Sequence, residues 1–217
     1  TTREIRGAHF LSTMPLTELI QRLDPPAPNA VTRAAAQLHY RAFILVALIV
    51  NCAHLFPDNW IYIQSPDVRV GRIQNFKNWS AAMVPDARKT SLGMEYFCDE
   101  GDALWNLDDA DLIALASHEL ETLGLARATE VEEGIVIRQP KAYPVYDAGY
   151  RERLQTIRVF LDSFENLQTL GRNGMHRYNN QDHAMLSGIL AARNVLGESH
   201  DLWNVNAEQS YYEESLA

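Results

Sequence analysis

The sequence has 217 residues, 47% of them hydrophobic, and a formal net charge of −9. A chain of this length can bury one good core or two small ones. The negative charge argues against nucleic acid or an anionic membrane as the main partner, because both bind a cationic face. The longest apolar run, AFILVALIV at 42–50, is less than half of the roughly 20 residues that a membrane-spanning helix needs.

The cysteines and histidines of the sequence form neither a disulfide pattern nor a metal-binding motif. Cys52 and Cys98 are too few for a set of disulfides, and the seven histidines lack the spacing of a metal motif. We therefore expect reduced core thiols, a cytoplasmic protein and no metal site.

The first half of the chain predicts short helices followed by strands. GAHFLSTMP at 7–15 is typical of a strand that leads into a helix, here at 15–23, and a second helix is predicted around 31–38. Residues 43–50 are rich in β-branched side chains without polar alternation, which predicts a strand covered on both faces near the centre of a sheet. Further strands are predicted at 60–64, 68–76 and 91–98.

The second half predicts amphipathic helices between single strands. An acidic start, an apolar stripe and Gly124 predict a helix over 108–123, and a second helix is predicted over 150–164. Strands are predicted at 134–138 and 166–170, and the polar tail after Gly197 is expected to fray in part. The fold class predicted is α+β in one domain, with a largely antiparallel or mixed sheet flanked by helices.

The stretch GRNGMHRYNNQDHAMLSGILAARN at 171–194 changes abruptly from polar residues to a helix of small and apolar residues. Asp182 is predicted to cap a helix that runs to about Leu196, with Gly197 as its stop. The free N–H groups of such a helix end can bind phosphate or an electron-rich carbonyl, and Arg172 can pair with phosphate or carboxylate. Because many proteins have a capped helix after a glycine-containing loop, spacing alone leaves a ligand site and a plain structural junction open.

The same stretch resembles the C-terminal flavin motif of the FAD-dependent oxidoreductases that include UDP-galactopyranose mutase, protoporphyrinogen oxidase and the amine oxidases. The mutase form runs roughly G-R-x-x-x-Y-x-Y-x-x-M-D, and its fixed positions are matched by Gly171, Arg172, Tyr178 and Asp182. His176 replaces a tyrosine of that motif and Gln181 replaces its methionine. The tyrosines help hold a nucleotide sugar in the mutases, so the change at His176 counts against a mutase and leaves the flavin assignment intact.

The resemblance extends along nearly the whole chain and is strongest over 142–196. AYPVYDAGY at 142–150 resembles the stretch before the helix that leads back to the flavin domain, and GAHFLSTMPLTELI at 7–20 resembles the entry to the substrate domain. The sequence contains no G-x-G-x-x-G turn, which in this family binds the ADP half of FAD. The resemblance thus implies the C-terminal part of a longer enzyme whose N-terminal FAD domain is missing here, so that this chain alone is inactive and retains FAD weakly or not at all.

The resemblance also implies a division of the chain and a set of site residues. Residues 1–15 would be a strand and crossover from the FAD domain, 16–165 the substrate-binding domain, 166–197 a returning strand, loop and flavin-contacting helix, and 198–217 a tail. The cofactor-binding residues implied are Gly171, Arg172, Asn180, Gln181, Asp182 and His183. The substrate-binding candidates are Tyr143, Tyr146, His176 and Tyr178, together with Arg72, Asn75, Lys77 and Trp79 from the polar and aromatic stretch at 71–85.

The expected activity is hydride transfer from a small-molecule substrate to FAD in the complete enzyme. No catalytic residue is nominated: Glu95, Glu132 and Glu133 are interpreted as ordinary carboxylates and His118 as structural. One alternative is a mutase-like, flavin-dependent isomerase of a nucleotide sugar, and another is a non-catalytic interaction module. Without a flavin domain, the small and apolar side of helix 182–196 is expected to be exposed or to mediate self-association.

Overall fold

A computed structural model describes residues 3–206, which divide into two compact units. Unit 1 contains the residues up to Tyr40 and those from Tyr143 onward, and unit 2 is Arg41–Ala142. The strands are β1 (Phe10–Ser12), β2 (Tyr40–Val50), β3 (Trp60–Tyr62), β4 (Arg72–Asn75), β5 (Thr90–Cys98), β6 (Val131–Pro144) and β7 (Leu167–Thr169). The helices are α1 (Leu16–Gln21), α2 (Asn29–Ala36), α3 (Phe76–Trp79), α4 (Asp109–Thr122), α5 (Tyr150–Leu161), α6 (Gly171–Gly174) and α7 (Gln181–Val195).

Unit 2 is built on a five-stranded sheet in the order β3-β4-β5-β2-β6. The pairs β2 with β5, β4 with β5 and β3 with β4 are antiparallel, and nine residue pairs join β2 to β5, from Ala42 opposite Cys98 to Val50 opposite Thr90. Helix α4 covers one face of the sheet, where Leu112, Ala116 and Leu120 are buried in the core formed by the strands. The predicted α+β class with an antiparallel sheet and flanking helices is confirmed.

The second face of this sheet is only partly covered. Along β2 the buried residues alternate with partly exposed ones, so the prediction that this strand is covered on both faces is wrong. The β-branched and apolar run hid the alternation, because the half-exposed positions are also apolar: Phe43, Leu45, Ala47 and Ile49. The predicted strand at 68–76 is also shorter than expected, since only Arg72–Asn75 is extended and Phe76–Trp79 forms a helical turn.

Unit 1 combines a helical core with a small parallel sheet. Leu16 and Ile20 of α1, Ala35 of α2, and Ile157 and Leu161 of α5 pack together as the centre of this core. Strand β1 pairs in parallel with β7, in a two-stranded sheet among the described residues. A smaller cluster joins the segment after β7 to α7 and to the 3-10 turn at Leu202–Asn204. That turn shows that the first part of the predicted tail is folded, and residues 207–217 lie outside the described residues.

Helix α7 exposes part of the small and apolar side that was predicted to be uncovered, since Ala192 is exposed and Ala184 and Gly188 are partly exposed. Ser187 and Ala191, on the side of small residues, are fully buried against unit 1 rather than exposed. The exposed side is the one with larger apolar residues, where Met185 is 67% and Leu196 is 84% exposed. The small side chains of Ser187 and Ala191 let the helix pack closely on its own unit.

Candidate functional site

The backbone between β7 and α7 makes two sharp turns. Gly171 adopts a left-handed conformation, with φ of 76°, which favours glycine. A Cβ added there would meet no atom within 4 Å, although the residue itself is buried. At Gly174, by contrast, a Cβ would lie 2.7 Å from the carbonyl oxygen of Ser12, so that glycine is required by packing against β1. The predicted loop is therefore a helical turn, α6, followed by His176 at φ 46°.

Helix α7 is capped by Asn180 and not by Asp182, which corrects the sequence prediction by two residues. The Asn180 side chain accepts from the backbone N–H of His183, and the backbone N–H of Asn180 donates to Nδ1 of His183 at 3.3 Å, forming a reciprocal capping box. Gln181 and Asp182 are exposed in the first turn. The carboxylate of Asp182 lies at the positive end of the helix and 3.3 Å from the His183 ring.

The start of α6 is fixed to the middle of α7 through one hydroxyl. The backbone N–H of Gly171 donates to Oγ of Ser187 at 3.1 Å, and that hydroxyl donates to the carbonyl oxygen of Ala184 at 2.7 Å. Gly188 follows on the helix, and a Cβ there would meet no atom within 4 Å. Gly171 and Gly188 thus both border open space, and the hydrogen bond from Gly171 to Ser187 ties their two segments together.

Arg172 lies against two stacked aromatic rings. Its guanidinium carbon lies 5.1 Å from the ring centre of Tyr143 and 4.6 Å from that of Tyr178, and the two rings stack at 5.7 Å. Its Nε donates to the carbonyl oxygen of Asn179 at 2.9 Å. Cation–π contacts and a fixed hydrogen bond orient this cation before any ligand arrives.

Tyr146 and His176 support the loop that carries Tyr178. The Tyr146 hydroxyl accepts from the backbone N–H of Tyr178 at 2.6 Å, and burial raises the pKa of Tyr146. His176 is fully buried behind this layer, with its ring 4.7 Å from that of Tyr40. Burial lowers the pKa of His176 from 6.5 to about 4, because an imidazolium would lose its hydration there. Unit 1 therefore brings Tyr143, Tyr146 and Tyr178 together around Arg172, with His176 inside.

In unit 2 a buried carboxylate organises the half-exposed sheet face. Glu95 on β5, 4% exposed, accepts from Nε of Arg72 at 2.5 Å and from the Gln74 amide at 3.0 Å. Arg72 stands directly opposite Glu95 in the register and also lies 5.8 Å from the centre of the Tyr62 ring. The charge of Glu95 is thus compensated by the Arg72 guanidinium and by the hydrogen bond from Gln74.

Aromatic rings border the polar group formed by Glu95, Arg72 and Gln74. Trp79 stacks on Trp60 with ring centres 5.2 Å apart, and its indole N–H donates to Oε1 of Gln74 at 2.9 Å. Trp79 is 49% exposed, so one face of the pair remains open to solvent. Phe43 and Phe97 form a second ring pair on the same face, at 5.9 Å.

Two of the four predicted substrate-binding residues in unit 2, Lys77 and Asn75, donate hydrogen bonds to carbonyl oxygens of the surrounding protein. The Lys77 ammonium donates to the carbonyl oxygens of Ala53, Ala87 and Lys89, at 2.6–2.9 Å, and so joins three segments. Asn75 is buried and donates to the carbonyl oxygen of Phe56, while its Oδ1 has no partner among the described residues. Of the four predicted residues, Arg72 and Trp79 share the open face.

Sequence reasoning missed Glu119 as the second organising carboxylate of unit 2. Although 4% exposed, it accepts from the backbone N–H groups of Arg69 and Val70 and from the Tyr96 hydroxyl, at 2.7–3.1 Å. Burial and the nearby Glu119 carboxylate raise the pKa of Tyr96. The signal was available, because Glu119 falls on the apolar stripe of α4, three residues after Ala116.

Two features are absent from residues 3–206. No group of three or more His, Cys, Asp or Glu side chains in this range is arranged to hold a metal ion. No helix in it combines the length and apolar character needed to cross a membrane. Cys52 is half-buried and Cys98 buried, both without a disulfide, and burial raises the pKa of Cys98 to about 11.

The fold is that of part of a group of solved enzymes, although the sequence matches no protein-family model and no curated protein. The crystal structure of reduced UDP-galactopyranose mutase aligns with a TM-score of 0.78 and 21% identity, covering 93% of this chain and 44% of that one. A protein from Exiguobacterium sp. 255-15 assigned as a protoporphyrinogen oxidase aligns at 0.65 with 19% identity, covering 88% and 41%. A putrescine oxidase redesigned in its cofactor binding aligns at 0.61 with 15% identity, covering 88% and 43%.

These likenesses confirm, at the level of the fold, the resemblance that was based on residues 142–196. The matched structures are a UDP-galactopyranose mutase, a protein assigned as a protoporphyrinogen oxidase and an oxidase of an amine, the three kinds of protein that the sequence resembles. The chain spans less than half the length of each of them.

Proposed function

We propose that this chain is the substrate-binding part, with the last cofactor-contacting helix, of an FAD-dependent oxidoreductase. The observation that carries the proposal is the fold itself, which aligns over 88–93% of the chain with the three solved enzymes. The substrate is a small molecule, and the dinucleotide-binding domain belongs to another part of the complete polypeptide.

The residues around Gly171 could border one edge of the bound cofactor. Gly171 and Gly188 both leave space that a side chain would fill, and the backbone N–H groups of Gln181 and Asp182 lie in the first turn of a 15-residue helix. Such N–H groups favour negative charge. Asn180 and His183 would hold this helix end in place through the capping box, in addition to any contact that they make with the cofactor.

The small sheet of unit 1 is consistent with a further domain. Two strands alone are marginally stable in water, and the β1–β7 pair has just three residues in each strand. Phe10 and Leu11 of β1 are 45% and 44% exposed. Additional strands from the FAD domain would pair with this sheet and cover those side chains.

The chain's own residues would bind and orient the substrate, while FAD, when bound, supplies the electron-accepting chemistry. Arg172, fixed beside the stacked rings of Tyr143 and Tyr178, would provide a positioned cation for an anionic group. Unit 2 taken by itself has a second candidate surface, where Trp79 would offer a ring and the Arg72–Glu95 pair a compensated polar group. Preorganised groups of this kind lower the entropic cost of placing a substrate.

The test is the visible spectrum of the protein produced from its complete gene. We expect the two absorption bands of oxidised flavin, and we expect Gly188→Val to reduce the flavin content by about tenfold, since a branched side chain would occupy the open space beside Ser187. Gly188→Ala is the matched control and should retain most of the flavin. A colourless protein that does not respond to added FAD would contradict the proposal and favour the interaction module.

A mutase-like isomerase of a nucleotide sugar is the second candidate, favoured by the higher TM-score of 0.78 with UDP-galactopyranose mutase. The two activities differ in electron balance, because an oxidoreductase consumes an electron acceptor with each product formed and an isomerase does not. Product formation from UDP-galactopyranose without net consumption of an acceptor would select the isomerase.

A further inference from the structure

Two segments of unit 1 that are distant in sequence close on each other. Segment 143–147 contains the end of β6, and segment 172–180 connects α6 to α7. The rings of Tyr143 and Tyr178 stack across this contact, and the Tyr146 hydroxyl accepts a hydrogen bond from the backbone N–H of Tyr178. The backbone of the second segment is thus tied to a side chain of the first.

His176 is the buried end of the contact between these segments. Its ring is fully buried, and Nε2 lies 3.5 Å from the carbonyl oxygen of Val145. The ring meets those of Tyr40 and Tyr146 edge to face, with centres 4.7 Å and 6.4 Å away. Nδ1 has no hydrogen-bond partner among the described residues. A neutral imidazole therefore fits this position, whereas the second N–H of an imidazolium would be buried without an acceptor.

The groups around His176 do not offset a positive charge on its ring. Burial is the main reason that the pKa of His176 is low, and the charges of His39 and Arg153 lower it further. Asp147 favours an imidazolium, but it already forms an ion pair with Arg153 of α5. Burial raises the pKa of the two hydroxyls on the neighbouring rings, those of Tyr40 and Tyr146, so both stay neutral.

The backbone at His176 depends on the contacts of its ring. Its φ of 46° is left-handed, a conformation that is uncommon for a residue with a side chain and that persists where surrounding contacts hold it. The same segment orients Arg172, whose guanidinium lies 4.6 Å from the Tyr178 ring centre and whose Nε donates to the carbonyl oxygen of Asn179. Loss of the His176 contacts therefore reaches Arg172 through the backbone between them.

We propose that His176 is a pH-sensitive switch: protonation of its ring releases segment 172–180 from segment 143–147, and the contacts that orient Arg172 are lost with it. The proton comes from solvent and binds to Nδ1, and the segments close again when it leaves. The proposal does not depend on the flavin assignment, because every group that takes part belongs to unit 1.

The pH range of the switch follows from the two pKa values of His176. The pKa is about 4 in the closed arrangement and returns to the ordinary 6.5 when the ring is exposed. The segments are therefore closed above pH 6.5 and open progressively as the pH falls towards 4. Between pH 7 and pH 5 the equilibrium constant for opening should rise about twentyfold.

Hydrogen exchange of the backbone, measured by mass spectrometry at pH 7 and pH 5 and corrected for the intrinsic effect of pH, tests the proposal. We expect the N–H groups of Arg177, Tyr178 and Asn179 to exchange faster than those of residues 154–161 in α5 at both pH values. Their exchange should be about twentyfold faster at pH 5 than at pH 7. Equal rates in the two segments would mean that opening is global unfolding, and a change below about threefold would mean that no switch exists.

Substitutions assign the effect to this histidine. His176→Phe keeps a ring without a titrating nitrogen, and His176→Gln keeps a smaller neutral side chain, so exchange in segment 172–180 should be nearly independent of pH in both. His118→Phe, on α4 in unit 2, is the matched control and should retain the wild-type pH dependence; circular dichroism verifies that each variant is folded. A wild-type pH dependence in both His176 variants would overturn the proposal.

Discussion

His176 has a fully buried ring, a backbone at φ 46° and a neutral imidazole. Its Nε2 lies 3.5 Å from the carbonyl oxygen of Val145, and its Nδ1 has no partner among the described residues. The ring packs against Tyr40 and Tyr146. At this position the histidine packs inside the loop that carries Tyr178, and its burial favours the uncharged form.

The stability of the protein should therefore fall as the pH is lowered through the ordinary titration range of histidine. The folded-state pKa of about 4 is below the unfolded value of 6.5, so the unfolded chain binds the proton first. The contribution is complete above pH 6.5 and is lost towards pH 4. We expect about 2 kcal/mol less free energy of unfolding from this group at pH 5 than at pH 7.

His176→Phe keeps a ring and removes the titrating group, so urea denaturation should show a smaller difference between the two pH values. His118→Phe, on α4 in unit 2, is the control for a histidine whose ring is not sealed in the core of unit 1. An unchanged pH dependence in His176→Phe would show that the buried imidazole is not the cause.

The sequence predicted which polar residues of the site matter better than it predicted the groups that they contact. The importance of Arg172 and Tyr178 followed from the motif, but their stacking with Tyr143 joins positions about 30 residues apart. Lys77 was expected to face a ligand, yet its ammonium meets three carbonyl oxygens from distant segments. No local pattern encodes such a contact, because it depends on how loops meet after folding.

Helices and strands could be predicted where the apolar residues of a segment recur with a single period. The apolar stripe, acidic start and Gly124 place α4 within a residue of its observed limits, Asp109–Thr122. The start of α7 was misplaced because Asn180 and Asp182 are both good capping residues. Only the reciprocal bond with His183 distinguishes them.

Asn180→Ala and Asp182→Ala separate these two roles in α7. Asn180→Ala should lower the free energy of unfolding by about 1 kcal/mol, since it removes the acceptor for the N–H of His183. Asp182→Ala should cost about half as much, because it removes only a favourable charge at the helix end. Thermal denaturation of both variants compares them, and a larger loss for Asp182→Ala would support the original prediction.

At the scale of the whole molecule, α7 gives the chain an uncovered apolar surface. Met185, Leu186, Ile189 and Leu196 are each at least 45% exposed. Exposed apolar groups scattered singly are common, but a group on one helix marks an interaction surface. If the chain is part of the proposed enzyme, we expect the FAD domain to cover it.

The chain produced alone should therefore self-associate through this surface. Sedimentation velocity at increasing protein concentration should detect dimers or larger species, and Met185→Glu combined with Ile189→Glu should shift the population to monomer by introducing buried charges into the contact. Val159→Glu, at an exposed apolar position on α5, is the matched control. A wild-type chain that stays monomeric at all concentrations would argue against an interaction surface on α7.

Unit 2 is continuous in sequence, whereas unit 1 is formed from both sides of it. The chain enters unit 2 within β2 and leaves it within β6, and these two strands are hydrogen-bonded neighbours in the sheet. Adjacent strands are only about 4.8 Å apart. Unit 2 is thus one continuous segment whose two ends lie in neighbouring strands. The core of α1, α2 and α5 is formed entirely by residues outside that segment. Exchanging unit 2 between related proteins would therefore change its sheet face while leaving the helical core of unit 1 as it is.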